Sequence, residues 1–228
     1  MPSSGFRLIA ENMPLLLSGL ANTLLVAVSA LVIGTVGGIG FGALRLSRRK
    51  GLAIASRAIL ETFRVVPLMV MLLVGYFAVP RLLGSSVSGE AVAIVVFSLW
   101  GSVEMGELVR GAFQSLPVSV RESAFALALT NWQVFFLIEL PLALRRLLPG
   151  AINLATRMIK TTSLIVLVGS VDVIKRGQQI IERTKQSFPI YAFLFALFFA
   201  LCWPLTALAA RLTKAKGARF DNDTKDGR

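Results

Sequence analysis

The 228-residue chain is 55% hydrophobic with a mean hydropathy of +0.74. That is more apolar surface than a soluble domain of this length has use for, so the composition points to a membrane protein. The formal charge of +12 comes from bases gathered in short clusters between apolar runs. That pattern sets membrane topology and offers no aromatic-basic groove for nucleic acid. With one cysteine, Cys202, and no histidine, an intrachain disulfide and a Cys/His metal site are both excluded, and the commonest general base is missing.

In chain order, Asn12 to Leu44 carries no charge over 33 residues, more than the roughly 20 that a helix needs to cross a bilayer. It reads either as one long tilted span or as a short interfacial segment leading into a span. It is too long for the apolar core of a signal peptide. Gly34, Gly37, Gly38, Gly40 and Gly42 crowd its second half, where small residues allow close helix contact in lipid. Arg45, Arg48, Arg49, Lys50 and Arg57 form the densest basic loop. Further spans are expected at approximately 58–80, 90–109, 147–171 and 188–210, giving five with the first at 15–44, in a single domain over 1–228. Residues 171–187 read as a polar connection of mixed charge, and the tail from Arg211 as basic, then polar and fraying.

The longest interruption between spans is the loop 111–146. Ser119 and Glu122 stand at the S-x-x-E spacing of a capping box just after Pro117, and Thr130 and Gln133 repeat the signal as T-x-x-Q. Small residues fill the short helix between them, which suggests a docking element. The side of the membrane that holds this loop, the first basic loop and the tail carries 15 bases between spans, against 6 on the other. By the positive-inside rule the amino terminus then lies outside, with the docking loop and the carboxyl terminus in the cytoplasm.

Charges within spans face a bundle interior, a wet cavity or a partner, because lipid penalises them. Glu104 and Glu107 share one helical face with Arg110 a turn farther on, and Arg157 and Lys160 stand at i,i+3 beside Thr161, Thr162 and Ser163. The two patches either pair as a structural ion network or line a path for a zwitterionic solute. Glu61 and Arg64, also at i,i+3, are expected to pair locally or to sit at the interface. The hydroxyls beside Lys160 can be satisfied by bonding back to their own helix.

From Glu122 the chain reads ESAFALA, then nine residues, then Ile138-Glu139-Leu140-Pro141. This resembles the signature loop of ABC importer permeases, with Ser123 for an alanine and Ala128 for the glycine. Glu61-Thr-Phe-Arg64 with Pro67-Leu68 is similar to a motif of permeases for polar amino acids. So are Glu107-Leu-Val-Arg-Gly111 with Gln114-Ser-Leu-Pro117, and Lys160-Thr161-Thr162-Ser163-Leu164, where threonine replaces an aspartate at 161.

The resemblance implies an all-α polytopic membrane protein, about five transmembrane helices with a cytoplasmic coupling helix, in the type I ABC importer permease fold. It implies a transport subunit in the bacterial inner membrane, paired with a second permease (identical or homologous), a cytoplasmic ATPase dimer and an extracytoplasmic amino-acid-binding protein. The helix from Val120 to Leu129 would be the coupling helix, with Ser119, Arg121, Glu122, Ala124, Phe125, Ala128 and Leu129 as the residues that meet the ATPase. Arg64, Glu104, Glu107, Arg157, Lys160 and Thr161 would line the substrate path. No cofactor is expected on this chain. It lacks a glycine-rich phosphate loop, so ATP and magnesium belong to the partner. Threonine at 161 removes a negative charge and points to a neutral or acidic amino acid rather than a cationic one. The alternatives from other classes are a passive channel or scaffold, and an intramembrane enzyme using a Ser-Lys dyad around Lys160.

Overall fold

The computed structural model describes residues 5–47, 49–84 and 86–226, apart from the side chains of Leu83 and of residues beyond Lys214. Arg48 of the expected basic loop, and the side chains of the tail bases beyond Lys214, therefore lie outside what is described. Among the described residues the chain is all helical. Three helices are long and apolar enough to cross a membrane: α2 (Met13–Arg45), α5 (Gly89–Gln114) and α10 over Ser187–Lys214. A fourth crossing is available if α3 (Lys50–Val65) and α4 (Leu68–Leu83) count as one broken span.

The first apolar run is a single unbroken helix, about 50 Å long at 1.5 Å per residue, preceded by the separate short helix α1 (Gly5–Glu11). The expected span 58–80 is divided between two helices, α3 and α4, that meet at a bend of 100°. The cause is local. Pro67 bars the preceding residue from the helical region, and Val66 is extended at φ −76°, ψ 126°. Residues 147–171 correspond to the later part of α8 (Leu140–Thr161) and a 3-10 stretch, Thr162–Val168, closed by Gly169 at φ 77°. Residues 171–187 are a helix, α9 (Val173–Thr184), and not merely a polar connection. Asp172 caps it by accepting a hydrogen bond from the Lys175 backbone at 2.8 Å, and Val173, Gly177 and Ile180 form its buried face. The last helix continues beyond the expected span, through the tail to Asp226.

The core forms around α5, whose Val92, Ala93, Val96 and Phe97 pack with Val26, Ala27 and Ala30 of α2, Leu72 of α4 and Met158 of α8. Toward one end, Leu8, Leu16, Val173, Ile180, Ile190 and Leu194 bring α1, α2, α9 and α10 together. The glycine-rich half of α2 lies directly on α5. A Cβ on Gly34 would meet the Gly101 backbone at 3.2 Å. A Cβ on Gly106 would meet Phe41 Cδ1 at 2.6 Å and the Gly42 backbone nitrogen at 2.9 Å. Backbone cannot swing aside as a side chain can, so Gly106→Ala is expected to force the helices apart at a cost of about 1–3 kcal/mol. The measurement is the thermal unfolding midpoint of the purified chain, and an unchanged midpoint would show that the contact is slack.

Candidate functional site: an ion network, a lysine cavity and an exposed short helix

The charges expected inside the spans meet in two groups at one end of α5. Glu107 accepts from Arg45 of α2 at 2.9 Å and from Arg110, one turn along α5, at 2.8 Å. The Arg45 and Glu107 side chains are 11% and 18% exposed, so this pair is sequestered. Glu104 is in contact with Arg157 of α8, whose guanidinium also lies over the Trp100 ring at 5.2 Å. Arg64 approaches the other Glu104 oxygen at 3.9 Å. Arg64 thus turns to α5 and not to Glu61, because the bend at Val66 and Pro67 folds α3 back toward it.

Lys160 stays out of these pairs and opens onto a cavity of about 630 Å3 between the end of α8 and α10. Ser163, Tyr191, Phe195, Phe199, Trp203 and Thr206 stand around it. The hydroxyls nearby are partly accounted for, since Thr162 donates to the Ile159 carbonyl at 2.6 Å and Ser163 to that of Lys160 at 2.8 Å. Thr161 is the last residue of α8. Among the described residues no group of three or more His, Cys, Asp or Glu side chains is placed to hold a metal ion.

The structure also assembles a polar group that the sequence reading passed over. Asn22, in the middle of an apolar run, donates to Glu90 at 2.8 Å, to the Ser170 hydroxyl at 3.3 Å and to the Val171 carbonyl at 3.2 Å. Ser170 donates to the same Glu90 oxygen at 3.2 Å. Three elements distant in sequence are tied there, next to the buried Asp172, whose carboxyl is pushed above its usual range by burial, against the pull of backbone N–H donors. The signal was present: an asparagine inside the apolar run of α2 and a glutamate at the start of the apolar helix α5 both need partners.

In the loop, α6 spans Val118–Ala126 and begins differently from the expected capping box. Pro117 is the cap residue, already extended at φ −61°, ψ 138°, and no side chain caps the helix. Ser119 lies inside the first turn, so it does not pair with Glu122. The second start signal holds: Thr130 and Gln133 form a reciprocal capping box for the one-turn helix α7 (Asn131–Gln133).

Ala128 takes the left-handed conformation, φ 58°, where the resembling motif has glycine. Its N–H bonds to the Phe125 carbonyl at 2.9 Å and that of Leu129 to the Ala124 carbonyl at 3.3 Å. These are the two bonds of a Schellman end. The glycine-type turn is therefore kept despite the alanine. Removing the Cβ with Ala128→Gly is expected to raise stability by up to about 1 kcal/mol, part of the gain being lost to a more flexible unfolded chain. A lowered thermal midpoint would contradict this.

On α6, Arg121 reaches Glu139 at 3.6 Å and lies over the Phe125 ring at 5.7 Å, while Ala124 is buried. Ser119, Glu122, Ser123, Phe125, Leu127 and Ala128 remain exposed, and Leu129 is half-buried.

The arrangement is that of a membrane transport subunit: a helical bundle with paired charges at one end of α5 and a short, largely exposed helix in a loop. Residues 34–217 match the family described as the inner membrane component of binding-protein-dependent transport systems. The chain belongs to that family, the permease subunits of ABC importers, and is a transport component rather than an enzyme. It is 30% identical over 213 residues to the glutamate/aspartate import permease protein GltK of Escherichia coli O6:H1, covering 90% of this chain and 95% of that one. It is also 30% identical over 206 residues to the glutamine transport system permease protein GlnP of Escherichia coli K12, covering 88% and 92%. A crystal structure of an amino acid ABC transporter with histidines superposes with a TM-score of 0.84 at 22% identity, covering 94% of this chain and all of that chain. An inward-facing MetNI methionine transporter gives 0.73 at 22% identity, with 90% and 97% covered.

Proposed function

We propose that this permease carries an amino acid, neutral or acidic, across the bacterial inner membrane by alternating access driven by a separate ATPase. The observation that carries the amino-acid assignment is the full-length similarity to permeases named for glutamate/aspartate and for glutamine. The chain crosses five times, with its amino terminus outside, and α6 is the coupling helix held in a cleft of the ATPase. Exposure of Glu122, Phe125 and Leu127 supports that role, since those side chains have little to pack on within the subunit. A second permease completes the pathway, an extracytoplasmic binding protein delivers the solute, and ATP with magnesium is handled on the ATPase chains.

Among the residues proposed for the path, the ion pairs support two different roles. Glu104, Glu107, Arg157 and Arg64 are engaged with one another or with Arg45 and Arg110 and hold the helices at the inner end. Lys160 enters none of the ion pairs among the described residues and faces the cavity beside Thr161, so it is the cation left to receive a substrate carboxylate.

With the assembled transporter in vesicles, Lys160→Gln is expected to raise the half-saturating concentration for glutamate or glutamine at least about tenfold, the scale of one charge-assisted contact. Lys160→Arg should retain most of the uptake, and binding-protein affinity should not change. Unaltered uptake in Lys160→Gln, or preferential uptake of arginine or lysine by the native transporter, would overturn this assignment.

A further inference from the structure

Two acids one turn apart on α5, Glu104 and Glu107, serve four arginines, and they do so differently. Glu107 is enclosed. Both of its arginines are within hydrogen-bond distance, Arg45 at 2.9 Å and Arg110 at 2.8 Å, and Arg45 is largely buried with it. Exchange there would strand a charge. Glu104 is shared unequally. One oxygen touches Arg157 of α8, while the other faces Arg64 of α3 at 3.9 Å, short of a hydrogen bond. The Glu104 side chain is 16% exposed, whereas those of Arg157 and Arg64 are 53% and 46% exposed.

Each of these two arginines therefore keeps a place of its own when Glu104 leaves it. Arg157 retains the Trp100 ring, whose centroid is 5.2 Å from its guanidinium, and Arg64 retains water. Half-exposed ion pairs contribute little to stability, so moving the carboxylate from one to the other costs little. The move is also small, since a closer approach of about 1 Å brings Arg64 into hydrogen-bond range.

The contact stands at a mechanical junction. α5 ends at Gln114, just before the loop that carries α6, and α8 begins at Leu140, just after it. Arg146 of α8 reaches back to the Ser115 carbonyl, and Arg121 of α6 pairs with Glu139. A displacement of α6 thus enters the bundle through α5 and α8, the two helices that Glu104 and Arg157 tie together. Arg64 lies on neither. It sits at the end of α3, two residues before the extended Val66 at the bend.

We propose that Glu104 is a two-position latch, holding α8 through Arg157 in the conformation seen here and passing to Arg64 when α5 and α8 part as α6 is pushed. The proposal rests on α6 being the coupling helix. The exchange trades a tie between α5 and α8 for one between α5 and α3, so the bundle has two discrete arrangements of similar energy, as a switching element requires.

The test uses the assembled transporter in vesicles, with its ATPase and binding protein, and glutamate and glutamine as probes. The two arginines should act in opposite directions. Arg157→Gln frees α8 and should raise ATP hydrolysis without either amino acid about threefold, the population shift that one half-exposed pair supplies. Arg64→Gln removes the receiving position and should lower stimulated hydrolysis and uptake by a similar factor. Glu104→Arg combined with Arg157→Glu rebuilds the tie to α8 but sets Arg64 against a like charge. That double variant should restore low unstimulated hydrolysis and leave uptake depressed. Changes in the same direction for both arginines, no change in either, or full recovery of uptake in the double variant would overturn the latch.

Thermal midpoints give a second readout. Arg157→Gln and Arg64→Gln should each lower the midpoint far less than truncation of the enclosed Glu107. A loss as large as that would make the pair a static strut and overturn the proposal. The native transporter in the same vesicles is the control. If it takes up neither amino acid with ATP, the importer reading fails, whereas native uptake with same-direction variants sinks the latch alone.

Discussion

Glu122→Lys is expected to uncouple uptake from ATP hydrolysis while leaving the protein inserted and folded. The side chain is exposed on α6 and caps nothing, because Pro117 starts the helix and Ser119 lies beyond the cap position. Losing Glu122 therefore removes no bond within the subunit, and its effect on stability should stay within about 0.5 kcal/mol, as for ordinary surface positions. Against the ATPase, a reversed charge at a docked surface costs several kcal/mol where it meets a like charge. Uptake should fall at least about tenfold, with ATP hydrolysis persisting uncoupled from transport. Glu122→Gln, which removes the charge without reversing it, should fall between. Normal coupled uptake in Glu122→Lys would count against α6 as the coupling element.

The largest effect on stability is expected at Glu107. Its carboxylate neutralises Arg45 in a pair that is 18% and 11% exposed, and it also accepts from Arg110. Truncation leaves Arg45 charged and largely buried, the situation that costs about 3–5 kcal/mol when one partner of a buried pair is removed. Glu107→Ala should therefore accumulate poorly or unfold at a much lower temperature. Arg45→Ala combined with Glu107→Ala should recover part of the loss, since the orphaned charge goes with its partner. The comparison is of thermal midpoints across the two single variants and the double variant. Additive losses would show that the two side chains do not act as a pair, and would return Glu107 to the list of groups free to meet substrate.

Much of this was legible in the residues. Uninterrupted apolar length announced α2, α5 and α10, and the match of T-x-x-Q to a capping box at Thr130 and Gln133 was literal. The in-span acids and bases announced that they needed one another, though not which would pair. That choice depends on helix rotation and on the bend at Pro67, which delivers Arg64 to Glu104, and neither is written in the local sequence.

Capping by Ser119 failed because a proline just ahead of it already supplies the extended residue that a helix start requires. The α9 helix was obscured by its charges, yet Val173, Gly177 and Ile180 repeat at helical spacing, and Asp172 precedes them as a cap. Alanine does not favour the left-handed conformation that Ala128 adopts. It is held there because two carbonyl bonds close the end of α6 regardless of the side chain. The Asn22–Glu90–Ser170 group was hidden by distance, its members being 68 and 80 residues apart along the chain.

This chain is the permease of an ATP-driven amino-acid importer. The most direct measurement is uptake of radiolabelled glutamate and glutamine into vesicles reconstituted with this chain and its partner permease, with the ATPase, the binding protein and ATP supplied or withheld one at a time. Accumulation that requires all of them is the predicted result. Uptake by this chain alone, without ATP or the binding protein, would contradict it.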